Sequence, residues 1–231
     1  MRQVCFLLHG FNVNDGGYAS VDLIKPTARE FNFFPYDHDY GWVWLFRLRK
    51  RNKNVAKSLS ALIKKVQLEA DVVLVGHSNG CAIIYEMIEK HSLGSLKGVV
   101  FINPALHKEI ELPQTSTENF VVLFNKHDYI VQGAKWWRRF INVMPLSRMK
   151  YGKHLWGSAG QQGFDKPIKE DTKNLQTLSA AWLKPTRVLQ MDTSNPMDEK
   201  YAVHGHSAIF KDKKVLCYWM RWAFTFIKKE N

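Results

Sequence analysis

Short, continuous apolar runs recur along the chain and are separated by stretches that mix apolar and polar positions. Apolar runs of this kind, without alternation, are typical of strands that are buried on both faces of a parallel sheet. Five runs predict strands at 4–8, 32–36, 71–75, 98–103 and 120–124, and a further strand ends in "VLQMD" at Asp192.

The stretches between the strands predict helices. Residues 54–70 have an apolar stripe at helical spacing, with Asn54 as a candidate N-cap. Helices are also predicted at 81–90 and 213–229, and a helix within 18–31 would break near Pro26. We interpret the last helix as core-facing and not bound to a membrane surface, because its other face has few cations. The apolar stripes are Val55, Leu59, Leu62, Ile63 and Val66 in the first helix and Leu216, Trp219, Met220, Ala223, Phe224 and Ile227 in the last.

Strands alternating with helices predict an α/β protein with a mostly parallel, roughly six-stranded sheet and helices on both faces. A chain of 231 residues with 45% hydrophobic content suits a single domain. No run approaches the roughly 18 apolar residues of a membrane span, and we interpret "MRQVCFLLHG" as a first strand and not a signal peptide. Three separated cysteines, Cys5, Cys81 and Cys217, favour a reducing, cytoplasmic location, with Cys81 as core packing.

The formal net charge of +12 favours contact with anionic partners. The cations are densest at 47–53 and 136–139. No nucleic-acid-reading motif accompanies them, so we interpret them as solvated surface that gives at most non-specific anionic contact.

The apolar run at 71–75 ends in "GHSNG", with Ser78 between Gly76 and Gly80. The G-x-S-x-G pattern is weak alone, but here a predicted strand precedes it and a predicted helix follows. In such a nucleophile elbow the serine adopts strained backbone angles, and a Cβ at either glycine would collide with the neighbouring turn. We therefore predict that Ser78 is a nucleophile presented at the start of a helix.

A serine nucleophile needs a base and an orienting carboxylate. Asp128 follows the strand at 120–124 through "NKHD" and is the favoured acid, with Asp192 as the alternative. "VHGHSAIF" supplies two candidate bases, of which His206 is favoured over His204 because it lies just before the last helix.

An oxyanion is best stabilised by fixed backbone N–H groups. We predict two donors, Asn79 after the nucleophile and Phe11 in the loop after the first strand. Two other histidines, His9 and His77, are interpreted as packing or loop residues, and their spacing indicates no zinc site.

Together, "FLLHGFN", "VLVGHSNG", "VVLFNKHD" and "VHGHSAIF" resemble the α/β-hydrolase superfamily in order and cover most of the chain. The resemblance implies a Ser-Asp-His triad, an acyl-enzyme intermediate, hydrolysis of an ester or related acyl bond, and no metal or organic cofactor. The chain would be a minimal version without the family's leading antiparallel strands and without a cap between the fourth and fifth strands. The long interval between Asp128 and His206 predicts an insertion or flap at about 145–185.

The expected function is thus that of a serine hydrolase, carboxylesterase-like, acting on a small or medium acyl substrate, with thioester, lipid-ester and amide substrates left open. The alternative is a catalytically idle binding protein that uses its basic surface for an anionic partner, because a fold does not determine a function.

Overall fold

The computed structural model describes residues 2–11, 17–28, 30–38, 45–91, 93–112, 117–130, 133, 157–165 and 186–228. The six described strands form one sheet in the order β2-β1-β3-β4-β5-β6, and all neighbours are parallel. The predicted α/β fold with a six-stranded parallel sheet is therefore confirmed. The strands are β1 Arg2–Leu8, β2 Asn32–Pro35, β3 Ala70–His77, β4 Gly98–Ile102, β5 Asn119–Phe124 and β6 Arg187–Asp192.

Four α-helices are described, together with three 3₁₀ segments. The helices are α1 Leu45–Val66, α2 Asn79–Lys90, the short α3 Ala159–Gln162, and α4 Lys213–Lys228, and the 3₁₀ segments are Val21–Thr27, Glu199–Tyr201 and Ala208–Phe210. The helix expected within 18–31 is thus a 3₁₀ segment that contains Pro26. The tighter 3₁₀ geometry suits such a short, proline-containing piece.

The α1 helix begins well before the predicted start at residue 54, and the prediction that Asn54 caps it is wrong. The basic run at 47–53 forms its first turns. Leu48 is fully buried there, while Arg47 and Lys50 are exposed. One face of this cationic segment therefore contributes to the core, and the other meets solvent as expected.

The two faces of the sheet carry separate apolar layers. Alternate residues of β1 show the division, because Phe6 packs with α1 and α2 on one face while Leu7 packs with α4 and the first 3₁₀ segment on the other. The predicted apolar stripe of α4 is buried throughout, including Trp219 at 4% exposure. Both faces of the central strands are thus covered, which explains their continuous apolar runs.

The chain order reverses at β1 and β3, since β2 lies on one side of β1 and every later strand lies on the other. In open parallel sheets, a crevice forms at the carboxyl ends of the strands at such a switch point. Gly10 and Ser78 follow directly on these two strand ends, so the topology alone places the predicted nucleophile at the usual ligand-binding position.

Most of the predicted insertion at 145–185, and the basic residues at 136–139, lie outside the described residues. The described part, 157–165, packs beside the carboxyl end of β5, where Asn125 donates its backbone N–H to the Gly160 carbonyl at 2.8 Å. Its Phe164 is 4% exposed and belongs to the core. The flap hypothesis for the whole insertion, and the assignment of one domain, stay predictions.

Candidate active site

Ser78 occupies a strained turn between β3 and α2. Its backbone angles are φ 53° and ψ −116°, a region that L-residues rarely adopt. The turn is held by the Ser78 N–H, which donates to the Ile102 carbonyl at 2.9 Å, and by the Ser78 carbonyl, which accepts from the Ala105 N–H at 3.1 Å. Strain of this kind persists only where surrounding contacts enforce it, and it clusters at functional sites.

The two flanking glycines allow close packing around this turn. A Cβ on Gly76 would lie 2.8 Å from the Cys81 backbone nitrogen, and one on Gly80 would collide with the Leu8 and His9 carbonyl oxygens. Both obstacles are backbone atoms, which cannot rotate away. The local geometry is thus that of a nucleophile elbow, as the G-x-S-x-G pattern predicts.

The backbone after β1 runs alongside the elbow. A Cβ on Gly10 would lie 3.2 Å from the Ser78 Cβ, so Gly10 permits this approach. Phe11 comes next in the chain and is half-buried, while Asn79 begins α2 on the other side of Ser78. The two predicted oxyanion donors therefore flank the serine.

Asp128 and His206 meet although 78 residues separate them in the chain. The His206 Nδ1 donates to the Asp128 Oδ2 at 2.6 Å, and the carboxylate is fully buried. A carboxylate can only accept, so this contact holds the proton on Nδ1 and leaves the His206 Nε2 with a lone pair. Such an imidazole is ready to act as a base.

The two alternative residues lie elsewhere. His204 is exposed and makes an edge-to-face contact with His127, at a ring-centroid distance of 4.9 Å. Asp192 forms an ion pair with Lys126 at 2.9 Å and accepts a hydrogen bond from the Ser194 hydroxyl. Burial raises the pKa of Asp192, but its bonds to Ser194 and Lys126 outweigh that effect and lower the pKa overall.

The loop that carries His206 is tied to the elbow. The His206 carbonyl accepts from the Asn103 side-chain amide and lies 3.3 Å from the His77 Nε2. The rings of His77 and His206 are 5.0 Å apart between centroids. The His206 loop is thus anchored to the residue that precedes Ser78.

His77 itself is held neutral. Burial, and secondarily the neighbouring His206, lower the pKa of His77 to about 3. A group with that pKa is a weak base, which agrees with its interpretation as a packing histidine.

Two structural asparagines of the site were missed by the sequence reasoning. Asn125 is fully buried, donates from its side chain to the Val203 carbonyl at 2.8 Å, and accepts from the His127 N–H at 2.9 Å, so it links the Asp128 loop to the His206 loop. Asn103 has a positive φ of 44° and contacts the His206 loop directly. Asn103 is the last residue of one predicted strand and Asn125 directly follows another, and a polar residue at these positions was the available signal.

Cys81, shortly after Ser78, is a buried packing residue, as the sequence predicts. It donates to the Gly76 carbonyl at 3.1 Å and has a pKa raised by burial. Among the described residues, no group of three or more histidine, cysteine or acidic side chains could hold a metal ion. No helix in the described part of the chain is long and apolar enough to cross a membrane.

The all-parallel sheet, the strained serine turn after β3 and the buried Asp128 after β5, paired with His206, define the class: the protein is a hydrolase of the α/β-hydrolase superfamily. A sequence profile for lipid-droplet associated hydrolases matches residues 37–190. The chain belongs to the lipid-droplet associated hydrolase family. No curated protein matches it in a sequence comparison.

Solved structures with a similar chain path have little sequence in common with it. A Thermus thermophilus protein is 10% identical, with 99% of this chain and 90% of that one covered and a TM-score of 0.51. A YdeN-like hydrolase from Pectobacterium atrosepticum is 13% identical, with 98% and 91% covered and a TM-score of 0.49. At such identities, the Thermus thermophilus structure supports the fold and nothing finer.

Proposed function

We propose that the protein is a serine hydrolase that cleaves a carboxylic ester through an acyl-enzyme intermediate. The observation that carries the proposal is the 2.6 Å contact between His206 and the buried Asp128, on a loop anchored beside the strained Ser78. A strained serine alone is compatible with a structural turn. The oriented imidazole beside it supports catalysis.

In the proposed mechanism, the His206 Nε2 takes the proton of the Ser78 hydroxyl as that oxygen attacks the acyl carbon. Asp128 keeps the imidazole in the required tautomer and stabilises the imidazolium that forms. The backbone N–H groups of Phe11 and Asn79 donate to the oxyanion, with each donor contributing about 3 kcal/mol. His206 then protonates the leaving alcohol. In the second half of the reaction, His206 takes a proton from a water molecule that attacks the acyl-enzyme, and it returns that proton to Ser78 as the carboxylic acid is released.

The substrate class follows less directly. The family is described as associated with lipid droplets, which are apolar, and lipid esters are attacked by the same machinery as small esters. We therefore propose a carboxylic ester with an apolar acyl group, and a p-nitrophenyl ester series of increasing chain length would rank the acyl preference.

A fluorophosphonate probe tests the mechanism, because it forms a covalent adduct only with an activated serine. We expect labelling of Ser78, located by mass spectrometry, and no labelling of the Ser78→Ala variant. Ser158, which is buried beside α3, is an internal comparison within the same chain. Folded protein that carries no adduct on Ser78 would contradict the assignment.

A further inference from the structure

Two buried asparagines pair between α1 and α2. Asn52 lies in the first half of α1 and Asn79 is the first residue of α2, and the two residues are 3% and 1% exposed. Their surroundings are apolar, since Leu48 and Ala56, one turn away on either side of Asn52, both belong to the core. Polar side chains in such a position require an explanation.

The two side chains bond to each other reciprocally. The Asn52 Nδ2 donates to the Asn79 Oδ1 at 3.0 Å, and the Asn79 Nδ2 donates to the Asn52 Oδ1 at 3.1 Å. Replacing both amides with apolar groups of similar shape can be nearly neutral for stability. Unlike apolar packing, the pair fixes the orientation of the Asn79 side chain, because two hydrogen bonds hold it to the same partner.

The residue next to Asn52 contacts the loop that follows β2. The Arg51 guanidinium donates to the His38 carbonyl at 3.0 Å, and the His38 ring stacks on His9 at a centroid distance of 3.8 Å. His9 lies two residues before Phe11. Asn52 therefore bonds directly to the residue after Ser78, whereas Arg51 is connected to the segment before Phe11 only indirectly, through His38 and His9.

We propose that Asn52 is a positioning residue for the oxyanion hole. The strained backbone at Ser78 would relax by rotating the peptide that joins it to Asn79, and this peptide carries the predicted donor N–H. Because the Asn79 side chain is bonded to Asn52, that rotation is resisted. The inference rests on the proposed serine hydrolase function. It also gives Asn52, which lies within the basic run at 47–53, a role unrelated to the charge of that run.

The test compares Asn52→Ala and Asn52→Leu with the wild-type protein, where the leucine keeps the side-chain volume if the alanine variant does not fold. The readouts are kcat and KM on a p-nitrophenyl ester and the rate of fluorophosphonate labelling, all measured well below each melting temperature. We expect kcat and the labelling rate to fall by about tenfold to a hundredfold, as for a modest misplacement of a catalytic group. KM should stay within about twofold.

Asn119→Ala is the matched control. Asn119 is also a buried asparagine, but its side chain donates to the Lys97 carbonyl at 2.8 Å at the start of β5, on the opposite edge of the sheet from Ser78. The Asn119→Ala variant should have a lower free energy of unfolding than the wild-type protein and the same kcat. Asn79→Ala should lower kcat like Asn52→Ala, and the double variant should be no worse than the worse single variant.

The inference would be overturned if Ser78 of the wild-type protein is labelled but folded Asn52→Leu keeps an unchanged kcat. That result would leave the proposed serine hydrolase function standing. An equal loss of kcat in Asn119→Ala would also overturn the inference, since the effect would then be one of stability. If the wild-type protein is not labelled at Ser78, the proposed function fails, and the inference fails with it.

Discussion

At the residue scale, the proposed chemistry depends on which nitrogen of His206 carries the proton. The short contact with Asp128 keeps that proton on Nδ1, and the carboxylate is fully buried, so water cannot compete for it. The geometry separates two histidines that the sequence leaves side by side. His204, two residues earlier, faces solvent.

This separation predicts unequal effects of two substitutions. His206→Ala should lower kcat/KM on a p-nitrophenyl ester by at least about a thousandfold, because a triad loses most of its function when one member is removed. His204→Ala should stay within about threefold, since substitution of an exposed side chain usually has a small effect. Steady-state kinetics of both purified variants would measure this, and the reverse order of effects would assign the base to His204.

At the element scale, the strands were predictable because their apolar runs are continuous and their ends carry glycine, aspartate or asparagine. The start of α1 was not, because its dense cations hide the apolar spacing. Buried Leu48, Asn52 and Ala56 nevertheless follow each other at intervals of one helical turn and continue into the predicted stripe at Leu59. A helical pattern that accepts a buried asparagine at position 52 would have placed the start of α1 earlier.

The candidate site was predictable to the extent that it lies at strand ends. Ser78, Asp128 and His206 each fall on a loop at the carboxyl side of the sheet, where parallel topology brings such loops together. The linking contacts of Asn103 and Asn125 were not predictable, because each joins segments that are distant in sequence. Those partners become visible only once the chain is folded.

The packing of the elbow predicts the effect of adding one methyl group. In Gly80→Ala, the new Cβ would collide with the Leu8 and His9 carbonyls, so the end of β1 must move away from α2. We expect a loss of about 1–3 kcal/mol in the free energy of unfolding, the usual cost of overpacking, together with reduced labelling of Ser78. Urea denaturation and the fluorophosphonate assay would measure the two effects.

Gly94→Ala provides the control for that substitution. Its Cβ would meet only the side-chain end of Gln67, at 3.3 Å, and a flexible side chain can move. Gly94→Ala should change neither the free energy of unfolding nor the labelling of Ser78 appreciably. A Gly80→Ala protein as stable and as reactive as the wild type would show that the elbow tolerates a wider spacing than the structure indicates.

At the scale of the whole molecule, two buried histidines link folding to pH. Burial is the largest cause that lowers the pKa of His77 to about 3, and it acts with His9 to lower the pKa of His38 to about 3 as well. Both rings therefore stay neutral in the folded state at pH 5. In the unfolded chain, a histidine has a pKa of about 6.5 and binds a proton below it.

Because the unfolded state binds more protons below pH 6.5, the free energy of unfolding must fall as the pH drops from that value toward 3. Between pH 7 and pH 5, the linkage relation gives a loss of about 2 kcal/mol for each of the two histidines. Urea denaturation at the two pH values would measure it. His77→Gln and His38→Asn, which keep an amide donor near the original ring nitrogen, should each remove about 2 kcal/mol of that loss. Equal stability of the wild-type protein at pH 7 and pH 5 would contradict the neutral burial of both rings, and an effect confined to one variant would assign the pH dependence to that histidine alone.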